Sequence, residues 1–220
     1  MIRMIEKEEF TIVSLLKACA KNRDLIMGLQ LHALMMKRGG GLSSHSHYLC
    51  SALINMYAKC GALSKARQVI EEIPHRHITV WNALISGYTK LGHGHEAFSC
   101  YEEMQREGLF PDVVTFTSIL KACGCVGAVE KGKEVHEKVV SRGLLKKDVM
   151  LGNALVDMYA KCGAMKMAQQ VFNKIPIRDV ISWTSLIAGY AHLGKGEALH
   201  CFEQMQHEGF SPNAVTFVCI

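Results

Sequence analysis

Short polar side chains that can form hydrogen bonds recur at equivalent positions beside apolar helical stripes. Asn82 follows Trp81, where a stripe with i, i+3, i+4, i+7 spacing begins. Successive residues of an α-helix are rotated by about 100°, so Asn82 is expected beside this stripe, facing solvent. Asn153 and Thr184 occupy corresponding positions in two later helices. Amides and hydroxyls donate and accept hydrogen bonds, which favours reversible recognition of a polar ligand.

Residues that could support covalent or metal chemistry do not form a recognised pattern. Cys123 and Cys125, with His136 downstream, are the nearest approach to a zinc site, but Cys-x-Cys is a poor zinc spacing. The chain has 11 histidines, and none stands beside a nucleophile. Phosphate-binding glycine loops and Gly-x-Ser-x-Gly turns are also absent from the sequence. We therefore predict no catalytic residue, no metal and no cofactor.

One seven-residue phrase, MYAKCGA, occurs twice, at 56–62 and at 158–164, and it reveals an internal repeat. Neighbouring matches keep the same offset of 102 residues, including Trp81 with Trp183. A single globular core does not require a repeated amino-acid sequence, whereas a stack of equivalent structural units does. Since a helix pair needs roughly 30–40 residues, each period is expected to hold three pairs.

The predicted fold class is all-α, an α-solenoid superhelix of antiparallel helix-turn-helix repeats with a concave inner face. Thr115 and Ser182 are predicted to cap helices at their N-termini, and Gly61 and Gly163 to form the turns between paired helices. The repeats are predicted to form a single array over 1–220, approximately 8–46, 47–77, 78–112, 113–148, 149–179 and 180–213, with 214–220 starting a truncated seventh.

Composition places few limits on function. The chain has 220 residues, 49% of them apolar, and no run long enough to cross a membrane, so no membrane partner is predicted. A net charge of +5 permits an anionic partner without requiring one. Six of the nine cysteines fall at equivalent positions, Cys60 with Cys162, Cys19 with Cys123 and Cys100 with Cys201, which suits buried packing in a reducing compartment. The first ten residues resemble neither a secretory signal nor a transit peptide, and the natural chain is expected to continue past Ile220.

The motif order resembles plant pentatricopeptide repeat proteins of the PLS subclass. Segment 153–180 is similar to a short motif, 80–112 to a standard motif and 114–148 to a long motif. The order long, short, standard occurs twice, and the resemblance covers about residues 8–220. It implies sequence-specific binding of single-stranded organelle RNA in a mitochondrion or chloroplast, with one base per repeat.

The same resemblance implies a role as a specificity adaptor in organelle RNA processing, with C-to-U editing as the expected process. Many editing factors of this subclass end in a zinc-dependent deaminase, which needs His-x-Glu followed by Pro-Cys-x-x-Cys. Neither motif is present, because His95–Glu96 and His136–Glu137 lack the spacer. Any catalysis would therefore come from a trans-acting editing or processing protein, or from a missing C-terminal region.

In this family each base is read by the fifth residue of the first helix and the last residue of the motif. Asn82 with Asp112 resembles a uracil-preferring pair, as does Asn153 with Asp179. The remaining pairs are Thr184 with Asn213 (adenine), Thr117 with Asp148 (guanine, in a long motif that follows the code poorly), and Ser51 with His77, a weak candidate. Val13, the fifth residue of the first repeat, offers no polar group. The implied footprint is 5′-N-N-U-(G)-U-A-3′.

Two other interpretations stay open at this level. The chain could be a protein-binding scaffold similar to tetratricopeptide arrays, or a truncated product without a function of its own. Basic side chains could contact phosphates or could form a solvated helix face. These are Lys37, Arg38, Lys131, Lys133, Lys138, Arg142, Lys146 and Lys147.

Overall fold

The computed structural model describes residues 2–37, 46–194 and 196–220, and every regular element within them is helical. The chain divides into two compact halves, Met1–Pro111 and Asp112–Ile220. The N-terminal half contains α1 (Ile2–Asn22), α2 (Leu25–Lys37), α3 (His47–Lys59), α4 (Leu63–Glu72), α5 (Ile78–Lys90) and α6 (Gly94–Arg106). The C-terminal half contains α7 (Val113–Val126), α8 (Val129–Ser141), α9 (Val149–Lys161), α10 (Met165–Lys174), α11 (Val180–His192), α12 (Glu197–His207) and α13 (Ala214–Val218).

In each half the helices form consecutive pairs whose first members pack against one another. In the N-terminal half α1, α3 and α5 pack in series, and each also packs against its own second helix. In the C-terminal half α7, α9 and α11 form the corresponding series, which continues to α13. The predicted all-α helical-repeat class is therefore confirmed. Among the described helices, none is both long and apolar enough to span a bilayer.

The repeated phrase supplies the buried face of these stacks. Met56 and Tyr57 of α3 have no exposed surface, and neither do Met158 and Tyr159 of α9. Full burial of such an apolar side chain stabilises a fold by about 1.5–3 kcal/mol. Neither helix of a pair buries its stripe alone, so this energy is gained when one pair packs on the next.

Helices α7 and α11 begin at N-cap residues that lie three positions before the predicted caps. Asp112 caps α7 by accepting a hydrogen bond from the Thr115 amide at 2.8 Å, and Asp179 caps α11 through the Ser182 amide at 2.8 Å. The prediction that Thr115 and Ser182 are themselves the caps is wrong. They are the third helical residues of capping boxes, and their hydroxyls accept from the backbone amides of the cap residues. The last residue of each of these motifs therefore starts the following helix.

Glycine closes the turn after each copy of the repeated phrase, as predicted. Gly61 and Gly163 have φ angles of +78° and +73°, in the left-handed region where a side chain is strained. Their backbone amides donate to carbonyls of the preceding helix, at 3.1 Å to Ala58 and 3.0 Å to Ala160. These turns allow the second helix to fold back on the first.

A histidine–tyrosine hydrogen bond joins successive helix pairs once in each half. His32 Nδ1 lies 2.8 Å from the Tyr57 hydroxyl, and His136 Nδ1 lies 3.0 Å from the Tyr159 hydroxyl. Both rings are about half-buried, and burial lowers the pKa of both histidines below the usual 6.5. The Nε2 atom of His32 is buried without a hydrogen-bond partner, so its protonation would leave a buried charge unpaired.

We expect stability to fall as the pH decreases below about 6.5. The unfolded chain gains protons on these histidines near their ordinary pKa, whereas the folded chain, with its lowered pKa values, gains them only at more acidic pH. Thermal unfolding midpoints measured between neutral pH and about pH 5 would show this loss. The double variant His32→Phe and His136→Phe should show a flatter profile, while His200→Gln, at an exposed residue of α12, should keep the original slope. An unchanged slope in the double variant would contradict this assignment.

Candidate functional site

The predicted base-reading residues lie at equivalent positions but are not exposed. Asn82, Asn153 and Thr184 are the fifth residues of α5, α9 and α11, with exposed fractions of 7%, 7% and 8%. The expectation that they face solvent is wrong. For Asn153 and Thr184, the cause is visible in their contacts, because each forms a hydrogen bond with a hydroxyl of the next repeat, Ser182 for Asn153 and Thr216 for Thr184.

Asn153 is held by two residues at the start of α11. Its Nδ2 atom donates to both carboxylate oxygens of Asp179, at 3.0 and 3.1 Å. Its Oδ1 atom accepts a hydrogen bond from the Ser182 hydroxyl at 2.5 Å. Because a carboxylate only accepts hydrogen bonds, the atom facing Asp179 must be the nitrogen, and the amide orientation is thereby determined. The predicted partners Asn153 and Asp179 are thus in direct contact.

Thr184 belongs to a similar network built by α13. Its hydroxyl lies 2.8 Å from the Thr216 hydroxyl and 2.7 Å from the Val180 carbonyl oxygen. The Thr216 hydroxyl in turn donates to Asn213 Oδ1 at 3.0 Å. The predicted partners Thr184 and Asn213 are therefore linked through Thr216 rather than directly.

The third predicted pair of this half, Thr117 with Asp148, is not joined by a hydrogen bond. The Thr117 hydroxyl is buried but makes no hydrogen bond, and Asp148 accepts from the Leu151 amide at 3.2 Å as the cap of α9. Leu151 stands where Ser182 and Thr216 stand in the other two networks, at the third residue of the following helix. An apolar side chain there leaves Thr117 without a bridging hydroxyl.

The remaining predicted residues divide between the two halves. Ser51 donates to the Tyr48 carbonyl oxygen at 2.9 Å, while His77 caps α5 and stacks on His47 with ring centroids 4.4 Å apart. Val13 is 2% exposed and part of the core. Asn82 lies in the N-terminal half, and Asp112, its predicted partner, begins the C-terminal half as the cap of α7.

Exposed apolar side chains recur at the second position of the first helices, where the sequence predicts no functional residue. In the C-terminal half Val114, Met150, Ile181 and Val215 are all more than half exposed. The sequence contains a pattern that could have identified them, because each is an apolar residue outside the buried stripe and such a residue recurs once per repeat. Met150 and Ile181, with Thr117 and Asn153, line an open pocket of about 260 Å³ between successive first helices. This pocket combines exposed apolar side chains with polar ones.

A basic pocket of about 400 Å³ lies in the N-terminal half, at the C-terminal ends of α1, α3 and α5. Its lining includes Lys21, Arg23, Lys59 and Lys90. In the C-terminal half the residue equivalent to Lys59 is Lys161, which is paired with Asp157 at 2.8 Å. Lysines near helix C-termini also stabilise the helix dipole, and that effect is compatible with anion binding.

The basic residues singled out from the sequence lie elsewhere. Lys131 and Lys133 are on α8 and pair with Glu134 and Glu130, at 3.4 and 2.8 Å. The Arg142 guanidinium lies 5.3 Å from the centre of the Phe116 ring. Arg38 lies outside the described residues. The second-helix cations of the C-terminal half are thus partly engaged with neighbouring side chains.

The cysteine and histidine positions considered for zinc do not converge. Cys123 is fully buried, which raises the pKa of its thiol to about 12, and Cys125 is exposed. His136 uses Nδ1 to contact Tyr159. In the described part of the chain, no group of three or more histidine, cysteine or acidic residues is placed to hold a metal ion. All nine cysteines lie in that part and are free thiols.

Models of known protein families match most of this chain. The profile of the PPR repeat family matches residues 76–125 and 178–220. The PPR repeat profile matches residues 10–40, 48–78, 114–144 and 153–180. This chain belongs to the PPR, or pentatricopeptide repeat, family.

Similar proteins are longer than this PPR chain. A chloroplastic pentatricopeptide repeat-containing protein of Arabidopsis thaliana is 39% identical over 210 residues, which is 95% of this chain and 33% of the relative. A mitochondrial one from the same plant is 38% identical over 213 residues, 97% of this chain and 20% of the relative. The chain thus spans a third or less of the length of these relatives.

Solved structures share the PPR fold at low sequence identity. The crystal structure of PPR10 in complex with an 18-nt psaJ RNA element has a TM-score of 0.68 and 18% identity. The match covers 95% of this chain and 36% of PPR10. At this identity the similarity establishes the fold, and that result agrees with the stacked helix pairs of each half.

Proposed function

We propose that this PPR chain binds single-stranded RNA in a sequence-specific manner, with one base per repeat. The observation that carries the proposal is the open pocket between first helices, where the predicted readers Thr117 and Asn153 lie beside exposed Met150 and Ile181. Family membership and the RNA-bound PPR10 structure support the same function. RNA-binding repeat proteins of this kind read single bases with two or three side chains.

The pocket offers both parts of a base-binding site. The exposed side chains of Met150 and Ile181, 65% and 59% exposed, can pack against the faces of a planar base. Contact with a base face is sequence-tolerant and contributes affinity. Asn153 lines the same pocket and is 7% exposed, so its amide can form hydrogen bonds with the base edge. Its burial between helices allows the base edge to be tested away from bulk water.

The base assignments follow the family pairs and remain proposals. Asn82 with Asp112 and Asn153 with Asp179 would prefer uracil, Thr184 with Asn213 adenine, and Thr117 with Asp148 guanine. Ser51 with His77 and the Val13 position stay unassigned. The proposed footprint is 5′-N-N-U-(G)-U-A-3′, read from the first repeat to the sixth.

The basic pocket of the N-terminal half is the proposed contact for the RNA backbone. Lys21, Lys59 and Lys90 each stand in the last turn of successive first helices, so their charges recur at the spacing of the repeats. Affinity should then fall with salt, with a log–log slope of about −0.7 for each phosphate contacted on a single strand.

We further propose that the protein is a specificity adaptor in mitochondrial or chloroplast RNA processing, with C-to-U editing as the specific process and the PLS subclass as its type. Relatives named as chloroplastic and mitochondrial support the organelle assignment. Catalysis would come from a trans-acting protein or from sequence outside these 220 residues, since the relatives are longer than this chain.

Selection of bound sequences from a random single-stranded RNA pool tests the proposed function. We expect enrichment of uracil at positions three and five and of adenine at position six, with weak preferences at one and two. Binding without enrichment at any position, or enrichment only of double-stranded RNA, would contradict base reading. Stable binding of peptides in place of RNA would favour a protein-binding scaffold.

A further inference from the structure

We propose that base reading uses a third residue, the hydroxyl at the third position of the following repeat's first helix. Ser182 serves the Asn153 pair and Thr216 serves the Thr184 pair. Each is a positioning residue that acts through the reader and not on the base itself. The inference rests on the proposed function, because it concerns how the same reading residues discriminate between bases.

Both hydroxyls are completely buried and touch both members of their pair. The Ser182 hydroxyl lies 2.5 Å from Asn153 Oδ1 and 3.0 Å from Asp179 Oδ1. The Thr216 hydroxyl lies 2.8 Å from the Thr184 hydroxyl and 3.0 Å from Asn213 Oδ1. Neither side chain has exposed surface, so neither can contact a base directly.

The Thr117 pair provides an internal comparison. Its equivalent third position is Leu151, which is fully buried and has no hydroxyl. In that repeat the reader Thr117 has no hydrogen-bond partner, whereas Asn153 and Thr184 are both bonded. Within the C-terminal half, the presence of a bridging hydroxyl therefore coincides with a reader whose orientation is held.

The orientation of the Asn153 amide matters for the choice between uracil and cytosine. Uracil presents an N3–H donor beside a carbonyl acceptor, whereas cytosine presents an N3 acceptor beside an amino donor. An amide satisfies either base, but only after a rotation that exchanges its oxygen and nitrogen. Asp179 can only accept, so the rotated amide would place its oxygen against the carboxylate, and it would also lose the hydrogen bond that the Ser182 hydroxyl donates to the amide oxygen. Ser182 thereby adds to the orientation that Asp179 sets, and so increases the discrimination between the two pyrimidines.

The test compares Ser182→Ala with the unaltered 220-residue chain on RNA oligonucleotides that carry uracil or cytosine at the fifth base. Loss of one hydrogen bond that holds the amide should reduce the ratio of uracil to cytosine affinity roughly 3- to 10-fold. Preference for adenine at the sixth base should not change. Ser182→Thr retains the hydroxyl and should restore the ratio. Thr216→Val should instead weaken the preference for adenine at the sixth base and leave the ratio of uracil to cytosine affinity at the fifth base unchanged.

The outcomes separate this inference from the proposed function. If the unaltered chain shows no preference at bases five and six, the proposed function fails. If it prefers uracil but Ser182→Ala lowers all affinities equally, with an unchanged ratio, Ser182 is only a helix cap and the inference is overturned. If Ser182→Ala does not fold, as judged by circular dichroism, Thr216→Val is tested instead. The inference is overturned if Thr216→Val lowers all affinities equally and leaves the preference for adenine at the sixth base unchanged.

Discussion

Replacement of Asp179 by alanine should reduce the free energy of unfolding by about 2–4 kcal/mol. Asp179 has two roles, because it caps α11 through the Ser182 amide and also accepts the buried Asn153 amide through both oxygens. Loss of a cap costs about 0.5–2 kcal/mol, and a buried donor left without an acceptor costs about 1–3 kcal/mol. Urea denaturation followed by circular dichroism would measure the change.

Asp148→Ala is the matched control for this variant. Asp148 caps α9 in the same way, through the Leu151 amide, but its predicted partner Thr117 makes no hydrogen bond. Its replacement should therefore cost only the cap, about 1 kcal/mol. Equal losses for the two variants would show that the Asn153–Asp179 contact contributes nothing to stability.

Replacement of Asn153 by threonine should change the preferred fifth base from uracil to guanine. The amide that matches the uracil edge is removed, and the shorter side chain leaves room for a purine. The Asp179 carboxylate, released from Asn153, can then accept hydrogen bonds from the guanine N1–H and amino groups. Loss of a two-point contact with a base edge should lower uracil affinity by about 10-fold or more.

Competition binding with oligonucleotides that differ only at the fifth base would measure this switch. Asn173→Thr makes the same chemical change at an exposed residue of α10 and should leave all preferences unchanged. Thr184 shows that threonine fits the fifth position of a first helix. If Asn153→Thr kept the full preference for uracil, Asn153 would not be the reader of that base.

The helical architecture was predictable from local patterns. The apolar stripe that holds Met56 and Tyr57 has a helical period, and its second copy at Met158 and Tyr159 is buried in the same way. The turns at Gly61 and Gly163 followed from glycine and its position after the stripe. Helix starts were less predictable, because Asp112 and Thr115 are both good cap residues and only the backbone geometry distinguishes their roles.

The reading site was predictable only in part. Equivalent positions in the repeats identified Asn153, Asp179 and Thr184, and the structure brings the first two into contact. Their burial was not foreseen, because a side chain about 100° from the centre of an apolar stripe can still be covered by the neighbouring helix. The exposed apolar residues such as Met150 were overlooked because they lie outside every buried stripe.

The amino-acid sequence by itself determined that the chain is made of repeated helix pairs and which residues are equivalent among them, since both properties depend on spacing along the chain. Only the tertiary structure decided which side chains meet. The Asn153–Asp179 contact joins residues 26 positions apart near the two ends of one repeat, and the Asn153–Ser182 contact joins residues 29 positions apart on neighbouring repeats. Such contacts depend on how closely two helices pack and on side-chain orientation, and periodicity within one helix specifies neither.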